Sequence, residues 1–133
     1  MPRDHHHQRQ VQFYETDMAG IVHFSWYFRY MEEAEHALWR AAGLSIADPN
    51  ATVGFPRVAA TCDYKAPLHF EDLVDVHIRI DELASRKIRY ACTIRCGDTI
   101  AATGTMTSVC IVKGETPLRA TTIPPEIADR LTA

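Results

Sequence analysis

The sequence has no long apolar run and no large excess of either charge. None of its apolar stretches approaches the roughly 20 residues that a membrane-spanning helix needs, and residues 1–10 are polar where a secretory signal would be apolar. With 14 basic and 17 acidic residues, the formal net charge of −3 does not attract nucleic acid or an anionic membrane. We therefore expect a cytoplasmic protein in which a local basic cluster must hold any anionic ligand.

The sequence also lacks the cysteine spacings that bind zinc. Its four cysteines include no CxxC pair and no suitable Cys/His arrangement, which favours reduced, mostly buried thiols. The run His5–His7 could coordinate a metal, but it lies in residues 1–9, which we expect to be flexible and therefore unable to fix ligand geometry. We predict no metal and no cofactor, and we assign the histidine run no function.

Hydrophobic periodicity predicts one long helix after a short strand. From residue 25 to 42 apolar side chains recur at intervals of three and four residues, which is typical of an amphipathic helix. Ser25 is a suitable N-cap and Gly43 a suitable C-cap residue. Before the helix, Val11 and Phe13 alternate with polar residues, which predicts a strand over 10–14. A loop then follows, and no second helix of comparable length is expected.

Four further segments have strand character, at residues 57–64, 73–83, 87–96 and 99–112. Alternation is clearest from Val74 to Ile80, and Gly97 and Asp98 provide a tight turn between the last two segments. Short connections make these strands antiparallel neighbours. We therefore predict a single α+β domain over residues 1–133, in which a five-stranded antiparallel sheet wraps one long helix. Its exposed edges would be covered by forming at least a dimer.

The segment FYETDMAGIVHFSWY at residues 13–27 resembles the signature of the 4-hydroxybenzoyl-CoA thioesterase group within the hotdog superfamily. That signature is an aspartate, two variable residues, a glycine, two branched apolar residues and two residues leading into a long helix; here it begins at Asp17. The resemblance continues in order through YKAP at 64–67, SRK at 85–87 and LRATTIP at 118–124. It implies a hotdog fold, a homodimer or homotetramer with active sites between subunits, and hydrolysis of acyl-CoA thioesters.

Thioester hydrolysis needs a nucleophile or a base that activates water, and a donor for the oxygen that becomes negative. The resemblance implies that Asp17 is the catalytic carboxylate, although the residues alone would favour a turn role for it. Whether Asp17 forms an anhydride or activates water stays open. Phe24 matches the position whose backbone N–H points at the thioester carbonyl in the family. Gly20 would let the loop approach the substrate closely.

The residues that line the acyl group are predicted to follow Gly20. Many family members have a histidine at the place of Phe24 and an asparagine at the place of Trp26, so this chain departs from the family there. The two large rings predict a pocket for an aromatic or apolar acyl group. A single histidine beside apolar residues is more often packed or at the surface than catalytic. The predicted substrate-binding residues are His23, Ser25, Trp26 and Tyr27.

Coenzyme A, here part of the substrate, carries phosphates that need a local basic patch. Arg86 and Lys87 match the basic pair that contacts the nucleotide in the family, and Arg89 follows on the same strand. We predict these three as CoA-binding residues, with Arg119 a weaker candidate.

Other functions compatible with the same fold are a dehydratase and a module that binds acyl-CoA without turnover. A dehydratase of this fold needs a histidine paired with a helix carboxylate, for which His36 with Glu32 or Glu33 is the nearest approximation. The spacing of Glu32, Glu33 and Glu35 from Arg29, His36 and Arg40 is better explained by surface ion pairs.

Overall fold

In the computed structural model, which describes residues 3–133, a long helix packs against a five-stranded antiparallel sheet. In chain order the elements are β1 (Asp4–Gln10), α1 (Trp26–Ala41), β2 (Val53–Gly54), β3 (Arg57–Tyr64), β4 (Leu73–Leu83), β5 (Lys87–Cys96), β6 (Thr99–Val109), β7 (Ile111–Val112) and α2 (Pro125–Thr132). The sheet has the strand order β1-β4-β5-β6-β3, and β2 pairs with β7 in a separate ribbon. The predicted α+β architecture is confirmed.

Helix α1 buries the apolar stripe that its periodicity predicts. Its C-terminus ends as expected at Gly43, whose φ of +78° suits glycine. Gly43 N–H donates to the Arg40 carbonyl, and Leu44 N–H donates to the Trp39 carbonyl, the two bonds of a Schellman motif. At the N-terminus Ser25 occupies the N-cap position as predicted, but its side chain forms no capping bond with the helix backbone. The stripe consists of Tyr27, Tyr30, Met31, Ala34, Leu38 and Trp39.

Strands β3, β4 and β5 have the predicted bounds. Along β4 and β5 every second residue is buried, from Val74 to Ile80 and from Ile88 to Ile94, because these side chains meet α1 across the core. The segment predicted as one strand over 99–112 is divided into β6 and β7. At the division the buried Cys110 donates its N–H to the carbonyl of Arg86, the residue that precedes β5.

The first strand lies earlier than predicted. Asp4–Gln10 pairs with β4 along its whole length, so residues 4–9 are not a flexible end; Met1 and Pro2 lie outside the described residues. The predicted strand over 10–14 is wrong, since Phe13–Glu15 forms a 3₁₀ turn with Phe13 exposed and Glu15 buried. Apolar alternation could not indicate β1, because its half-covered positions are His5, His7 and Arg9.

Helix α2 was not predicted, although Pro at its start and the spacing of Ile127 and Leu131 are helix signals. Its buried Leu131 belongs to the core, and its carbonyl accepts the Arg3 N–H at 3.0 Å. The helix therefore packs the C-terminal residues against the core, beside the start of β1. Neither helix within residues 3–133 has the length and apolar character required to cross a membrane.

Of the glycines, Gly104 on β6 leaves the least room for a side chain, because it faces both strand β3 and helix α1. A Cβ built there would lie 2.5 Å from the Thr61 carbonyl oxygen and 2.8 Å from Met31 Sδ. Because the backbone oxygen cannot move aside cheaply, we predict that Gly104→Ala lowers the free energy of unfolding by about 2 kcal/mol, as overpacked cores do. Chemical denaturation measures this change.

Gly54→Ala is the matched control, because an added Cβ at Gly54 meets no heavy atom closer than 3.8 Å. Its free energy of unfolding should change by less than about 0.5 kcal/mol, the usual size for an unobstructed substitution. Equal stability of the two variants would contradict the packing described at Gly104.

Candidate functional site

An open groove of about 530 Å³ lies where the loop before α1 meets the end of β3. Asp17 is the one acid and Lys65 the one cation among its lining residues in the described chain, and most of the remaining wall is apolar. The groove can therefore take an apolar group and present a single carboxylate to it. It is lined by Asp17, Ile21, Val22, Phe24, Tyr27, Tyr64, Lys65, Ala66 and Pro67.

A tight turn presents Asp17 to this groove. Asp17 N–H donates to the Ile21 carbonyl and Gly20 N–H to the Asp17 carbonyl, both at 2.9 Å. Gly20 has a φ of +81°, a left-handed conformation that costs a glycine little. The half-buried Asp17 carboxylate accepts the Ala19 N–H through Oδ1 at 2.9 Å, and within residues 3–133 Oδ2 has no hydrogen-bond partner. One carboxylate oxygen is therefore available to a ligand.

Phe24, seven positions after Asp17, also lines the groove. Its carbonyl accepts the Tyr64 hydroxyl at 2.9 Å, whereas its N–H has no acceptor anywhere in the described chain. Burial raises the pKa of Tyr64 to about 12, so the hydroxyl keeps its proton at neutral pH and remains the donor. The Phe24 backbone is thus held by its carbonyl while its N–H can bind an oxygen of a ligand.

The thiol of Cys62 interacts with Tyr64 beside the groove but is a poor nucleophile. Burial raises the pKa of this thiol, and a protonated thiol does not attack a carbonyl carbon. Cys62 is therefore not a candidate nucleophile for this groove.

The predicted substrate-binding residues separate into two groups. Tyr27 is buried in the groove wall and packs edge-on against Tyr64, with ring centroids 4.9 Å apart. Trp26 instead packs against Tyr14, and Ser25 lines a separate surface pocket. His23 lies outside the groove lining as well; its Nδ1 accepts the Ser25 N–H at 3.3 Å and lies 2.8 Å from Ser25 Oγ.

The predicted CoA-binding residues are not beside the groove of the same chain. Tyr64 is next to Ala102, which is next to Ile94 across the sheet. Lys87 lies seven positions before Ile94 along β5, which is about 23 Å at 3.3 Å per residue. Lys87 pairs with Glu82 at 3.0 Å and Arg89 with Asp81 at 2.9 Å, while Arg86 is exposed. Exposed Arg119 pairs with Glu115.

A buried carboxylate that the sequence did not single out, Glu15, holds the loop of Asp17. Its Oε1 accepts the Tyr30 hydroxyl at 2.8 Å and the Gln12 N–H at 2.9 Å, and its Oε2 accepts from Arg9. Burial, and then the bond to Glu15, raises the pKa of Tyr30 well above its usual range, so that hydroxyl stays a donor. The Glu15 carbonyl also accepts the His23 N–H at 2.9 Å.

The same residue therefore joins three parts of the chain. Through its side chain Glu15 is fixed to β1 and to α1, and through its backbone to the far end of the loop. Asp17 lies two residues away, inside the segment closed by the bridge between Thr16 and Val22. The position of the groove carboxylate depends on this buried anchor.

Within the described residues, the only helix pair of the predicted kind is that of His36 with Glu35, which are 3.8 Å apart. Glu35 is buried and accepts two hydrogen bonds from Arg57, at 2.7 and 2.9 Å. Glu33 accepts from Arg9 at 2.7 and 2.8 Å, and half-exposed Glu32 lies 4.0 Å from Arg57. Sequence spacing suggested partners on α1, whereas the real partners come from β1 and β3.

Comparison with known proteins finds similarity along nearly the whole chain. The sequence pattern of the family described as the thioesterase-like superfamily matches residues 11–131. A relative in Aquifex aeolicus is 36% identical over 127 residues, which are 94% of this chain and 95% of the relative. A 1,4-dihydroxy-2-naphthoyl-CoA hydrolase of Prochlorococcus marinus is 29% identical over 104 residues, 71% of this chain and 69% of the hydrolase.

Solved structures share the fold. A gentisyl-coenzyme A thioesterase superposes with a TM-score of 0.85 at 28% identity, covering 96% of this chain and 99% of that one. A 1,4-dihydroxy-2-naphthoyl-CoA thioesterase from Synechocystis gives a TM-score of 0.89 at 22% identity, covering 97% and 96%. These likenesses confirm the predicted hotdog fold.

We predict that Glu15→Gln loosens the loop around Asp17. The amide keeps the shape of the side chain but removes the charge that Arg9 and Tyr30 contact, and a hydrogen bond to a charged group contributes about 1.5–3 kcal/mol. Amide hydrogen exchange over residues 16–23 should accelerate by roughly tenfold or more, because local opening becomes cheaper by that amount.

Glu35→Gln is the matched control for this measurement. Glu35 is also a buried glutamate bonded to an arginine, but it makes no contact with the loop. Its substitution should destabilise the protein as a whole without a selective change at residues 16–23. Identical exchange patterns in the two variants would remove the assigned role of Glu15.

Proposed function

Because the chain belongs to the thioesterase-like superfamily, an enzyme family that hydrolyses acyl-CoA thioesters, we propose that the groove beside Asp17 is its active site. The observation that carries this proposal is the pairing of one accessible carboxylate oxygen with the unpaired Phe24 N–H around an apolar groove. Thioester hydrolysis needs both a group that attacks or activates water and a donor for the developing oxyanion.

In this proposal the acyl chain lies along the apolar wall and the thioester carbonyl oxygen faces the Phe24 N–H. Asp17 either attacks the carbonyl carbon or removes a proton from the water that does so. The carbon–sulfur bond then breaks, the sulfur leaves as coenzyme A thiol after taking a proton, and water supplies the oxygen of the free carboxylic acid. Gly20 allows the turn to bring Asp17 close to the reacting carbon.

We propose an aromatic acyl group as the substrate class. The groove wall contains the rings of Phe24, Tyr27 and Tyr64, and aromatic pairs contribute about 0.5–1.5 kcal/mol beyond the area they bury. The similarity to a gentisyl-coenzyme A thioesterase and to 1,4-dihydroxy-2-naphthoyl-CoA hydrolases supports the same class. Trp26, His23 and Ser25 lie outside the groove lining, so we no longer give them a direct part in acyl binding within one chain.

We propose that Arg86, Lys87 and Arg89 serve the groove of another subunit in a homodimer or homotetramer. Their separation from Tyr64 is about 23 Å by strand geometry, so the pantetheine arm of coenzyme A would have to run across the sheet for the nucleotide to meet them in the same chain. The surface ion pairs of Lys87 and Arg89 contribute only about 0–1 kcal/mol. Phosphate oxygens can therefore replace the carboxylates of Glu82 and Asp81 at little cost in free energy.

Neither alternative function has comparable support. A dehydratase would need a histidine and a helix carboxylate free to act together, but Glu35, the carboxylate nearest to His36 at 3.8 Å, is committed to Arg57 through both oxygens. A module that only binds acyl-CoA is distinguished by the release of free thiol, which binding does not produce.

We predict that Asp17→Asn lowers turnover of an aromatic acyl-CoA by at least about a hundredfold, the scale typical of losing a catalytic base. The amide keeps the size of the side chain but neither attacks nor takes a proton. Thiol release, followed with a thiol reagent, measures the rate.

Asp48→Asn is the matched control, because Asp48 accepts the Asn50 N–H at 2.9 Å in the same local geometry that Asp17 forms with Ala19. Its turnover should stay within about twofold of the native rate, as expected for a surface substitution outside a reaction centre. Near-native turnover in Asp17→Asn would exclude Asp17 from the reaction.

We also predict a selectivity for ring-containing acyl groups. Benzoyl-CoA and hydroxylated benzoyl-CoA should exceed hexanoyl-CoA in kcat/KM by about tenfold or more, which corresponds to about 1.4 kcal/mol of added contact with the groove rings. A panel at limiting substrate measures this ratio. A higher kcat/KM for hexanoyl-CoA would contradict the aromatic assignment while leaving the hydrolytic one intact.

A further inference from the structure

Strands β1 and β4 bring two histidines together on the outward face of the sheet. His6 is directly opposite His77 in the antiparallel register, and their rings are parallel with centroids 4.0 Å apart. The neighbours of His77 in β4, Val76 and Ile78, are buried, so His77 lies on the side away from the core. Residues 77 and 6 are distant in sequence, and only strand pairing makes them neighbours.

Two carboxylates flank this pair. Asp4 Oδ2 lies 2.7 Å from His77 Nε2, and Asp75 Oδ2 lies 2.9 Å from His6 Nδ1. The ligand-type atoms of Asp4, His6 and His77 all fall within 4.8 Å of one another. The second nitrogen of each ring has no partner in the portion of the chain that the structure describes.

We propose that Asp4, His6 and His77 bind one divalent metal ion of the zinc class and that Asp75 orients His6; these four residues are here termed the histidine face. Imidazole with carboxylate is a donor set that Zn²⁺ accepts, whereas Mg²⁺ and Ca²⁺ prefer oxygen alone. Carboxylates beside ligating histidines are also the usual outer partners that orient the rings.

The geometry needs only side-chain adjustment to close around an ion. Ligand atoms around tetrahedral zinc lie about 2.0–2.2 Å from the metal, hence about 3.3–3.6 Å from one another. The Asp4–His77 separation of 2.7 Å must therefore lengthen and the widest separations, up to 4.8 Å, must shorten. The two stacked rings must also rotate out of parallel so that a nitrogen of each faces the ion. Asp4 and His6 are more than half exposed, and their side chains can rotate without disturbing the core.

The run of three histidines was given no function because a flexible end fixes no ligand geometry, and that reason does not hold for a paired strand. Residues 4–10 are hydrogen-bonded to β4 throughout, so His6 has a defined position. His5 and His7 point to the other side of β1, where His7 lies 3.5 Å from Glu33 on α1. The proposed site therefore uses one histidine of the run.

Charge alone does not make this site. Arg79 is opposite Asp4, and Arg95 is opposite Asp75, so two guanidinium groups offset the two carboxylates. Binding must come from imidazole coordination, which Mg²⁺ cannot exploit. A bound ion would join β1 to β4 and should stabilise the folded chain in proportion to its occupancy.

The test is titration of the metal-depleted chain with ZnCl₂, followed by isothermal calorimetry and by thermal unfolding. We expect one Zn²⁺ per chain and a Tm that rises with zinc concentration, with no response to MgCl₂. His77→Phe and His6→Phe keep a ring in the pair but remove its nitrogens, and each should weaken zinc binding by at least tenfold and abolish the zinc-dependent rise in Tm.

His69→Phe is the matched control, because His69 forms an isolated pair with Asp72 at 3.7 Å; it should bind zinc as the native chain does. Asp4→Asn provides a milder variant should a ring substitution disturb folding, and it should also weaken binding. Zinc binding that survives in His77→Phe, or that is lost equally in His69→Phe, overturns the proposal, as does the absence of binding in the native chain.

Discussion

The buried carboxylate of Glu15 is the constraint on which the site depends. It accepts hydrogen bonds from β1, from α1 and from the turn between them, and it has no exposure to water. A buried charge is tolerated only when it is paired and hydrogen-bonded, and here the pairing requires Arg9, Tyr30 and Gln12 to converge. The loop that carries Asp17 cannot leave this arrangement without leaving a charge unsatisfied.

Two buried glutamate–arginine pairs connect α1, and the turn before it, to the sheet. Glu35 and Arg57 connect the helix to β3, and Arg57 also donates to Ser108 on β6. Glu15 and Arg9 connect the approach to the helix with β1. Only the second pair holds the loop that carries Asp17, so one buried ion pair stabilises the scaffold while the other positions the groove carboxylate. Besides that carboxylate, the groove supplies an apolar wall and the backbone N–H of Phe24.

Much of the fold could be predicted because apolar side chains alternate wherever a strand faces α1. The bounds of β3, β4 and β5 follow from that alternation. Strand β1 could not be found in this way, since its half-covered positions carry the polar residues His5, His7 and Arg9. His7 and Arg9 contact Glu33 on α1 instead of apolar side chains of the core. The apolar stripe of α1 could be predicted for the same reason as β4, because its buried positions carry apolar residues at a regular spacing.

The site was predictable in part, and through resemblance rather than periodicity. Asp17, Gly20, Phe24 and Tyr27 come together around one turn and groove, as local spacing allows. Glu15 was missed because its partners Arg9 and Tyr30 become neighbours only in the fold, and a lone buried carboxylate leaves no periodic signal. Lys87 and Arg89 of β5 show the opposite case. Their motif is evident in the sequence, but the fold places them at the end of β5 that is distant from the groove.

The most direct measurement is a crystal structure of Asp17→Asn with an aromatic acyl-CoA bound. The account predicts the thioester carbonyl oxygen at about 2.7–3.1 Å from the Phe24 amide nitrogen, the distance expected of an oxyanion donor. It also predicts the side chain of residue 17 at about 3–3.5 Å from the carbonyl carbon, as in a near-attack geometry. An acyl group seated in another pocket, or a carbonyl oxygen held by other donors, would contradict it.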